Sequence, residues 1–165
     1  MDVQPELERA IMSKVPLAKE FMTRRIVTLH PDMDIYDAIR GLLKHHISGA
    51  PVVEDGMLVG ILSEKDCLNM FTKSVYDTIP GGVVRDYMSK KIVSCNQDDD
   101  LFAVAGIFFK NSFRRLPVLE NGKLIGLVSR PDVLKGSMEL WAEPDHKKKW
   151  SDSVYLTEEI KAALY

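Results

Sequence analysis

Residues 50–66 read APVVEDGMLVGILSEKD and residues 116–132 read LPVLENGKLIGLVSRPD, so the two stretches align without a gap at an offset of 66 residues. The same offset pairs Met22 with Met88 and Asp34 with Asp100. A register that holds over so many positions indicates a duplicated structural unit. We therefore predict a first unit at residues 20–72, a linker at 73–85 and a second unit at 86–138.

Each unit contains a hairpin signal that follows a helical pattern. Asp55-Gly56 and Asn121-Gly122 are hairpin-turn dipeptides between short apolar runs. Ahead of each hairpin, Asp34 or Asp100 precedes apolar residues at helical spacing, as an N-cap residue does. A helix is also predicted after each hairpin. We expect each unit to open with a strand, at Ile26-Val27 in the first and at Ile92-Val93 in the second.

The resulting order in each unit is strand, helix, strand, strand, helix, which places the chain in the α/β (α+β) class. A unit of about 50 residues buries too little surface to be stable alone. We therefore expect the two units to pack sheet to sheet around one shared core as a pseudo-twofold module.

The flanks are less informative. Residues 1–19 are predicted to hold an N-terminal amphipathic helix from Glu6 to Lys19, packed on the repeats. Residues 139–165 form a C-terminal tail with a closing helix from Thr157 to Leu164, for which the sequence suggests no function.

The composition limits the classes of function. The 165 residues are 45% apolar and 28% charged, with a formal net charge of −2, as in an ordinary globular protein. The near balance of charge argues against nucleic-acid binding. We expect no membrane association, because no apolar run approaches the roughly 18 residues of a span. Cys67 and Cys95 show neither a disulfide framework nor a zinc spacing, which favours a reducing, cytoplasmic location.

The chemistry-bearing motif is Ser-x-x-Asp after the second hairpin strand, with Ser63 and Asp66 in unit one and Ser129 and Asp132 in unit two. A serine at a helix start lies beside free N–H groups that can hold a phosphate. An ionised aspartate can accept both hydroxyl hydrogens of a ribose. The same spacing is also that of a capping box, which needs no ligand.

The chain resembles the cystathionine-β-synthase (CBS) domain family, whose tandem pair is called a Bateman module. The resemblance rests on the Met22-Thr23 and Met88-Ser89 starts, the Pro-Val strands and the Gly-apolar-apolar-Ser-x-x-Asp segments. It implies an adenine nucleotide (AMP, ADP or ATP) as ligand, with NAD or S-adenosylmethionine possible. It places ribose and phosphate at the two Ser-x-x-Asp segments. It also assigns to the site the opening residues of each unit, which are Ile26, Val27, Thr28, Ile92, Val93 and Ser94.

Arg114 and Arg115 precede the second unit's Pro-Val strand, where similar proteins place basic residues against ligand phosphates. Their counterparts in unit one are Ser48 and Gly49, so we expect unequal pockets. We predict no metal site, because His45 and His46 are adjacent on a helix and lack a third ligand at a usual spacing.

The sequence lacks a Walker loop, an HExxH motif and a nucleophile elbow, so we predict no enzyme. The leading hypothesis is a regulatory sensor that binds its adenosyl ligand in the cleft between the two units and signals to a regulated protein partner by a conformational change. The alternatives are a ligand-free structural or dimerisation module and a thiol-redox regulator using Cys67 or Cys95. We expect a homodimer through the helical stripes that contain Leu42, Leu43, Phe108 and Phe109.

Overall fold

A computed structural model describes residues 15–73 and 80–141. In chain order its elements are α1 (Ala18–Phe21), α2 (Ile35–Lys44), β1 (Gly49–Glu54), β2 (Met57–Ser63), α3 (Glu64–Lys73), α4 (Val84–Tyr87), β3 (Cys95–Asn96), α5 (Leu101–Lys110), β4 (Arg115–Glu120), β5 (Lys123–Ser129) and α6 (Arg130–Trp141). The elements of the first repeat recur in the second in the same order, which makes this a mixed α/β fold of two tandem repeats.

Both hairpins form at the predicted turns. Asp55 and Asn121 have φ of 50° and 49°, and the glycines that follow them have φ of 80° and 78°. Two successive positive φ values characterise the turn that matches the twist of hairpin strands. Each hairpin also shifts its register at the same place, after Val52 in β1 and after Val118 in β4.

The helices ahead of the hairpins begin at the predicted caps. An Asp34 carboxylate oxygen accepts a hydrogen bond from the Tyr36 backbone N–H at 2.9 Å. Asp100 accepts one from the Ala103 N–H at 2.8 Å. These bonds satisfy N–H groups that lack a partner within the helix.

The predicted opening strands are wrong in position. Ile26-Val27 and Ile92-Val93 lie in no strand; pairing starts later, at a parallel bridge between Leu29 and Val52 and at β3, where Cys95 pairs with Val118. Leu29 and Cys95 are buried, at 5% and 3% exposure, so the paired segments are those whose side chains lie in the core. An apolar dipeptide is typical of an extended backbone, but it does not specify which strand the backbone pairs with.

The packing of the repeats also differs from the prediction. The strands form one sheet in the order β1-β2-β5-β4-β3, and β2 meets β5 at the hairpin ends, where Met57 pairs with Lys123. The buried residues form two core clusters, one around Ile35 and Leu62 and the other around Leu101 and Leu116. The repeats therefore do not stack sheet to sheet around a single core.

The two clusters are completed by an exchange of short helices. Ala18 of α1, ahead of the first repeat, is buried in the second repeat's cluster. Val84 of α4, ahead of the second repeat, is buried in the first repeat's cluster. After α1, Thr23 bridges Leu127 of β5 by two backbone hydrogen bonds.

Glycines in β2 and β5 make room for this exchange. A Cβ at Gly126 would lie 2.2 Å from the sulfur of Met22, and one at Gly60 would lie 2.4 Å from the sulfur of Met88. Met22 and Met88, which open the two repeats in the sequence, therefore each pack against the hairpin of the opposite repeat.

Some predictions for the flanks and surfaces need correction. The expected helix from Glu6 to Lys19 lies mostly outside the described residues, as do the closing helix from Thr157 to Leu164 and residues 74–79 of the linker. Val15 to Leu17 are not helical, since Pro16 disfavours a helical residue before it, and α1 begins at Ala18.

The helical stripes proposed for dimerisation are only partly exposed. Leu42 and Phe108 are buried at 3% and 7% exposure, whereas the neighbouring Leu43 and Phe109 are 65% and 92% exposed. Helical spacing identifies an apolar stripe but not which of two adjacent apolar residues faces the core.

Candidate functional site

The Ser-x-x-Asp segments lie where β2 and β5 end and the following helices begin, as predicted. The backbone N–H of Ser63 donates to Asp66 Oδ2 at 2.8 Å, and the Ser63 hydroxyl donates to the same oxygen at 2.5 Å. Ser129 and Asp132 make the same pair of bonds at 2.8 and 2.5 Å.

Each serine and aspartate thus forms the helix-start arrangement that the sequence left open as an alternative to ligand binding. In both repeats the bonds that involve the carboxylate converge on Oδ2 alone. Among the described residues, no hydrogen-bond donor reaches the Oδ1 oxygen of Asp66 or Asp132, so a second acceptor oxygen remains for a ligand hydroxyl.

A smaller cleft of about 290 Å³ gathers residues from both repeats. Ile26 and Val27, from the start of the first repeat, face Ser129 and Asp132 of the second across this cleft. Arg115 and Arg25 bring positive charge to it. The cleft therefore combines an apolar wall, a carboxylate acceptor, a helix start and guanidinium groups.

A larger cleft of about 510 Å³ lies against the first repeat's Ser63. Its cationic side chains are Lys65, Arg114 and Arg115, and the carboxylate of Glu64 also lines it. Ser48, Ser112 and the Phe113 ring complete its mouth. Its volume falls in the usual range of small-molecule sites, about 300 to 1,000 Å³, and the smaller cleft lies at the lower end of that range.

Five predicted site residues line neither of these clefts: Thr28, Asp66, Ile92, Val93 and Ser94. Val93 packs instead against the second core cluster. The two clefts have different linings: Phe113 lines only the larger cleft and its unit-one counterpart Ile47 only the smaller, whereas Arg115 and its counterpart Gly49 line both.

The structure adds lining residues that the site prediction missed: Thr23, Arg25, Ile47, Gly49 and Leu127 in the smaller cleft, and in the larger, among others, Lys65, Ser112 and Phe113. For Gly49, Ile47 and Phe113, the repeat offset in the sequence could have served as a signal. Gly49 is the counterpart of Arg115 at the repeat offset, and Ile47 is the counterpart of Phe113. The exchange across the repeats, which brings Thr23 and Arg25 to the second repeat, left no such signal.

The arginines of the clefts are available to a ligand. In the part of the chain that the structure describes, no carboxylate lies within 4.0 Å of the Arg25, Arg114 or Arg115 guanidinium, whereas Arg40 and Arg85 both form ion pairs. A guanidinium without a carboxylate partner can donate two parallel hydrogen bonds to a phosphate.

The two thiols are poorly placed for redox chemistry. Cys67 and Cys95 are free and buried. Burial raises the pKa of the Cys95 thiol to about 12, with a smaller contribution from the negative charge of Asp99, and burial likewise raises the pKa of Cys67. Reactivity requires the thiolate, so both thiols are held in the unreactive form at neutral pH.

One group of possible metal ligands occurs in the described residues. Its atoms, from His30, Asp32 and Glu54, lie within 4.8 Å of one another at the surface. The guanidinium of Arg85 forms ion pairs with both carboxylates, at 2.5 Å to Asp32 and 3.3 Å to Glu54, so a cation already occupies this position. His45 and His46 belong to no such group among the described residues. None of the described helices is both long and apolar enough to cross a membrane.

Comparison with known proteins agrees with this architecture. Two uncharacterized proteins of Methanocaldococcus jannaschii are similar in sequence. MJ1225 is 30% identical over 125 residues, covering 75% of this chain, and MJ1426 is 33% identical over 157 residues, covering 76% of this chain and 93% of that protein. The chain spans only 44% of the length of MJ1225.

The fold is similar to that of CBSX2, a protein of Arabidopsis thaliana whose crystal structure was solved in complex with AMP. The two structures superpose with a TM-score of 0.66 at 30% sequence identity, and the match covers 76% of this chain and 98% of CBSX2. A family model described as the CBS domain matches residues 18–73 and again residues 84–139. The first match runs from α1 to the end of α3, and the second runs from α4 into α6. The chain therefore belongs to the CBS domain family and contains a tandem pair of its domains.

Proposed function

We propose that the chain is a regulatory module, without catalytic activity of its own, that binds an adenine nucleotide or another adenosyl ligand between its two CBS repeats. The observation that carries this proposal is the smaller cleft, where Ile26 and Val27 of one repeat face Ser129 and Asp132 of the other. A ligand in this position contacts both repeats at once, so its binding free energy depends on how they are arranged.

The cleft offers a complementary group for each part of a nucleotide. Adenine packs against the apolar Ile26 and Val27, and the ribose hydroxyls donate to the Oδ1 oxygen of Asp132. The phosphate lies at the start of α6, beside the Arg115 guanidinium. The AMP bound by CBSX2, a relative of 30% identity, supports this class of ligand.

Signalling follows from the position of the ligand. A ligand that binds one arrangement of the repeats more tightly shifts the population toward it, and a regulated protein partner, located with this chain in the cytoplasm, reads that arrangement.

A thermal-shift screen of the full chain against AMP, ADP, ATP, NAD and S-adenosylmethionine tests the proposal. A tight ligand at 100 times its Kd should stabilise the folded state by about 2.7 kcal/mol, which raises the Tm measurably. Unchanged melting with all five ligands would leave the alternative, a structural or dimerisation module.

Exposed apolar residues at equivalent positions favour a homodimer. Leu43 and Phe109 are related by the 66-residue offset, as are Leu68 and Leu134, and all four are at least 64% exposed. Paired exposed residues of this kind are typical of an interface. We propose a second copy of this chain as their partner, with the residues of α2 and α5 in contact across a twofold axis.

A further inference from the structure

Arg115 is the charged residue that the two clefts have in common. It lines the larger cleft with Arg114 and the smaller cleft with Arg25. Among the described residues, the two linings otherwise share only Gly49 and Leu127, which carry no charge. The clefts therefore meet at a single arginine.

The repeat symmetry supplies no second arginine at this place. Gly49 is the counterpart of Arg115 at the repeat offset, and it pairs with Ser63 in β2 just as Arg115 pairs with Ser129 in β5. A Cβ at Gly49 would lie 2.9 Å from the Leu62 carbonyl oxygen, so the first repeat has no room for a side chain there.

The single positive charge of Arg115 can neutralise one negative charge of one bound phosphate at a time. Its exposed guanidinium has no carboxylate within 4.0 Å among the described residues, and it is therefore free to pair with a phosphate in either cleft. Once it has paired in one cleft, its positive charge is neutralised. A second phosphate that approaches from the other cleft then meets the negative charge of the first.

We infer that Arg115 makes the two clefts compete for phosphate, so that the module binds one 5′-phosphorylated nucleoside tightly and a second one with little benefit from its phosphate. This inference rests on the proposed binding of adenine nucleotides. Arg25, Arg114 and Lys65 each line only one cleft and add attraction there without coupling the two. Because coupling between sites is reciprocal, the competition is the same whichever cleft fills first.

The test compares AMP with adenosine in each binding step. Calorimetry on the full chain gives the affinity of each step, and methyl-labelled NMR identifies the cleft, since Ile26 lines the smaller one and Ile61 the larger. We expect the preference for AMP over adenosine to be at least about tenfold greater in the first step than in the second.

Two variants separate the role of Arg115 from general loss of charge. Arg115→Ala should reduce the first-step preference for AMP to the level of the second, whereas Arg40→Ala, which removes an exposed arginine of α2 outside both clefts, should leave both steps unchanged. An equal AMP preference in both steps of the wild type, or a difference between the steps that survives Arg115→Ala, would overturn the shared arginine while leaving nucleotide binding intact. Failure of both AMP and adenosine to bind would overturn the proposed function itself.

Discussion

At the scale of single residues, the two aspartates of the repeated motif have the same local structure but different surroundings. Asp66 and Asp132 each accept two hydrogen bonds from the preceding serine with nearly identical geometry. Only Asp132 also lines a described cleft. Replacing each aspartate in turn can therefore separate the contribution of the helix cap to stability from the contribution of the cleft to ligand binding.

We expect Asp132→Ala to weaken AMP binding by about 1.5–3 kcal/mol, because a ribose hydroxyl loses a charged acceptor. Asp66→Ala is the matched control, since it removes an equivalent cap without removing a residue of the smaller cleft. Both variants should lose about 0.5–2 kcal/mol of unfolding free energy. Calorimetry and urea denaturation measure the two effects, and equal AMP affinity in the two variants would mean that Asp132 serves only as a cap.

Cys95 predicts how stability changes at high pH. Its folded-state pKa of about 12 lies above the ordinary thiol value of 9.0, so the folded protein keeps the proton that the unfolded chain loses. The unfolding free energy therefore falls as pH rises from about 9 toward 12, by up to about 1.4 kcal/mol per pH unit for one group.

Urea denaturation at pH 8 and pH 10.5 should show a smaller loss of stability in Cys95→Ala than in the wild type, by about 2 kcal/mol. Comparison with this variant removes the contributions of lysine and tyrosine titration, which both proteins share. An identical pH dependence in the two proteins would contradict the assignment to Cys95.

At the scale of helices and strands, the sequence correctly predicted the turns, caps and strand ends that depend on neighbouring residues. The Asp-Gly and Asn-Gly turns, the Asp34 and Asp100 caps and the strand ends at Ser63 and Ser129 all form where the sequence places them. The exchange of α1 and α4 could not be predicted, because it depends on contacts between residues about 50 to 100 positions apart, such as Val84 with Met33 and Thr23 with Leu127.

The same limit applies to the candidate site. The sequence predicted a ligand between the repeats and the residues Ile26, Val27, Arg115, Ser129 and Asp132, but not which residues of one repeat would share a cleft with those of the other. It expected unequal pockets from Arg114 and Arg115, yet it also assigned Ile92, Val93 and Ser94 to the site, and these residues line neither cleft.

The exchange makes a prediction for Val84 of α4, which is fully buried in the first repeat's core. Val84→Ala should cost about 2 kcal/mol of unfolding free energy through the cavity it leaves. Hydrogen exchange should show the larger loss of protection in β1 and β2, although Val84 lies ahead of the second repeat in the sequence.

Val104→Ala is the control for this experiment, since Val104 is equally buried but belongs to the second core cluster. It should reduce protection mainly in β4 and β5. If Val84→Ala also reduced protection there first, the assignment of α4 to the first repeat's core would be wrong.

At the scale of the whole molecule, the exposed apolar residues predict an assembly. Replacing Leu43 and Phe109 together by glutamate should convert the proposed dimer to the 18.7 kDa monomer, because charged side chains resist burial at an interface. Light scattering at micromolar concentration measures the change. Asn69→Glu adds the same charge at an exposed polar position of α3 and should leave the dimer intact. A wild-type mass of 18.7 kDa would refute the dimer directly.

The exchanged helices have a consequence for how such a chain can arise. Each repeat completes the core of the other with the short helix that precedes it, so a single repeat that carries its own helix is complementary to a second copy of itself. Two separate copies can thus assemble by the same exchange that the tandem chain makes within itself. A gene duplication that fused them would need no new interface; it would only tether an existing one, after which the two halves are free to diverge, as Gly49 and Arg115 have done.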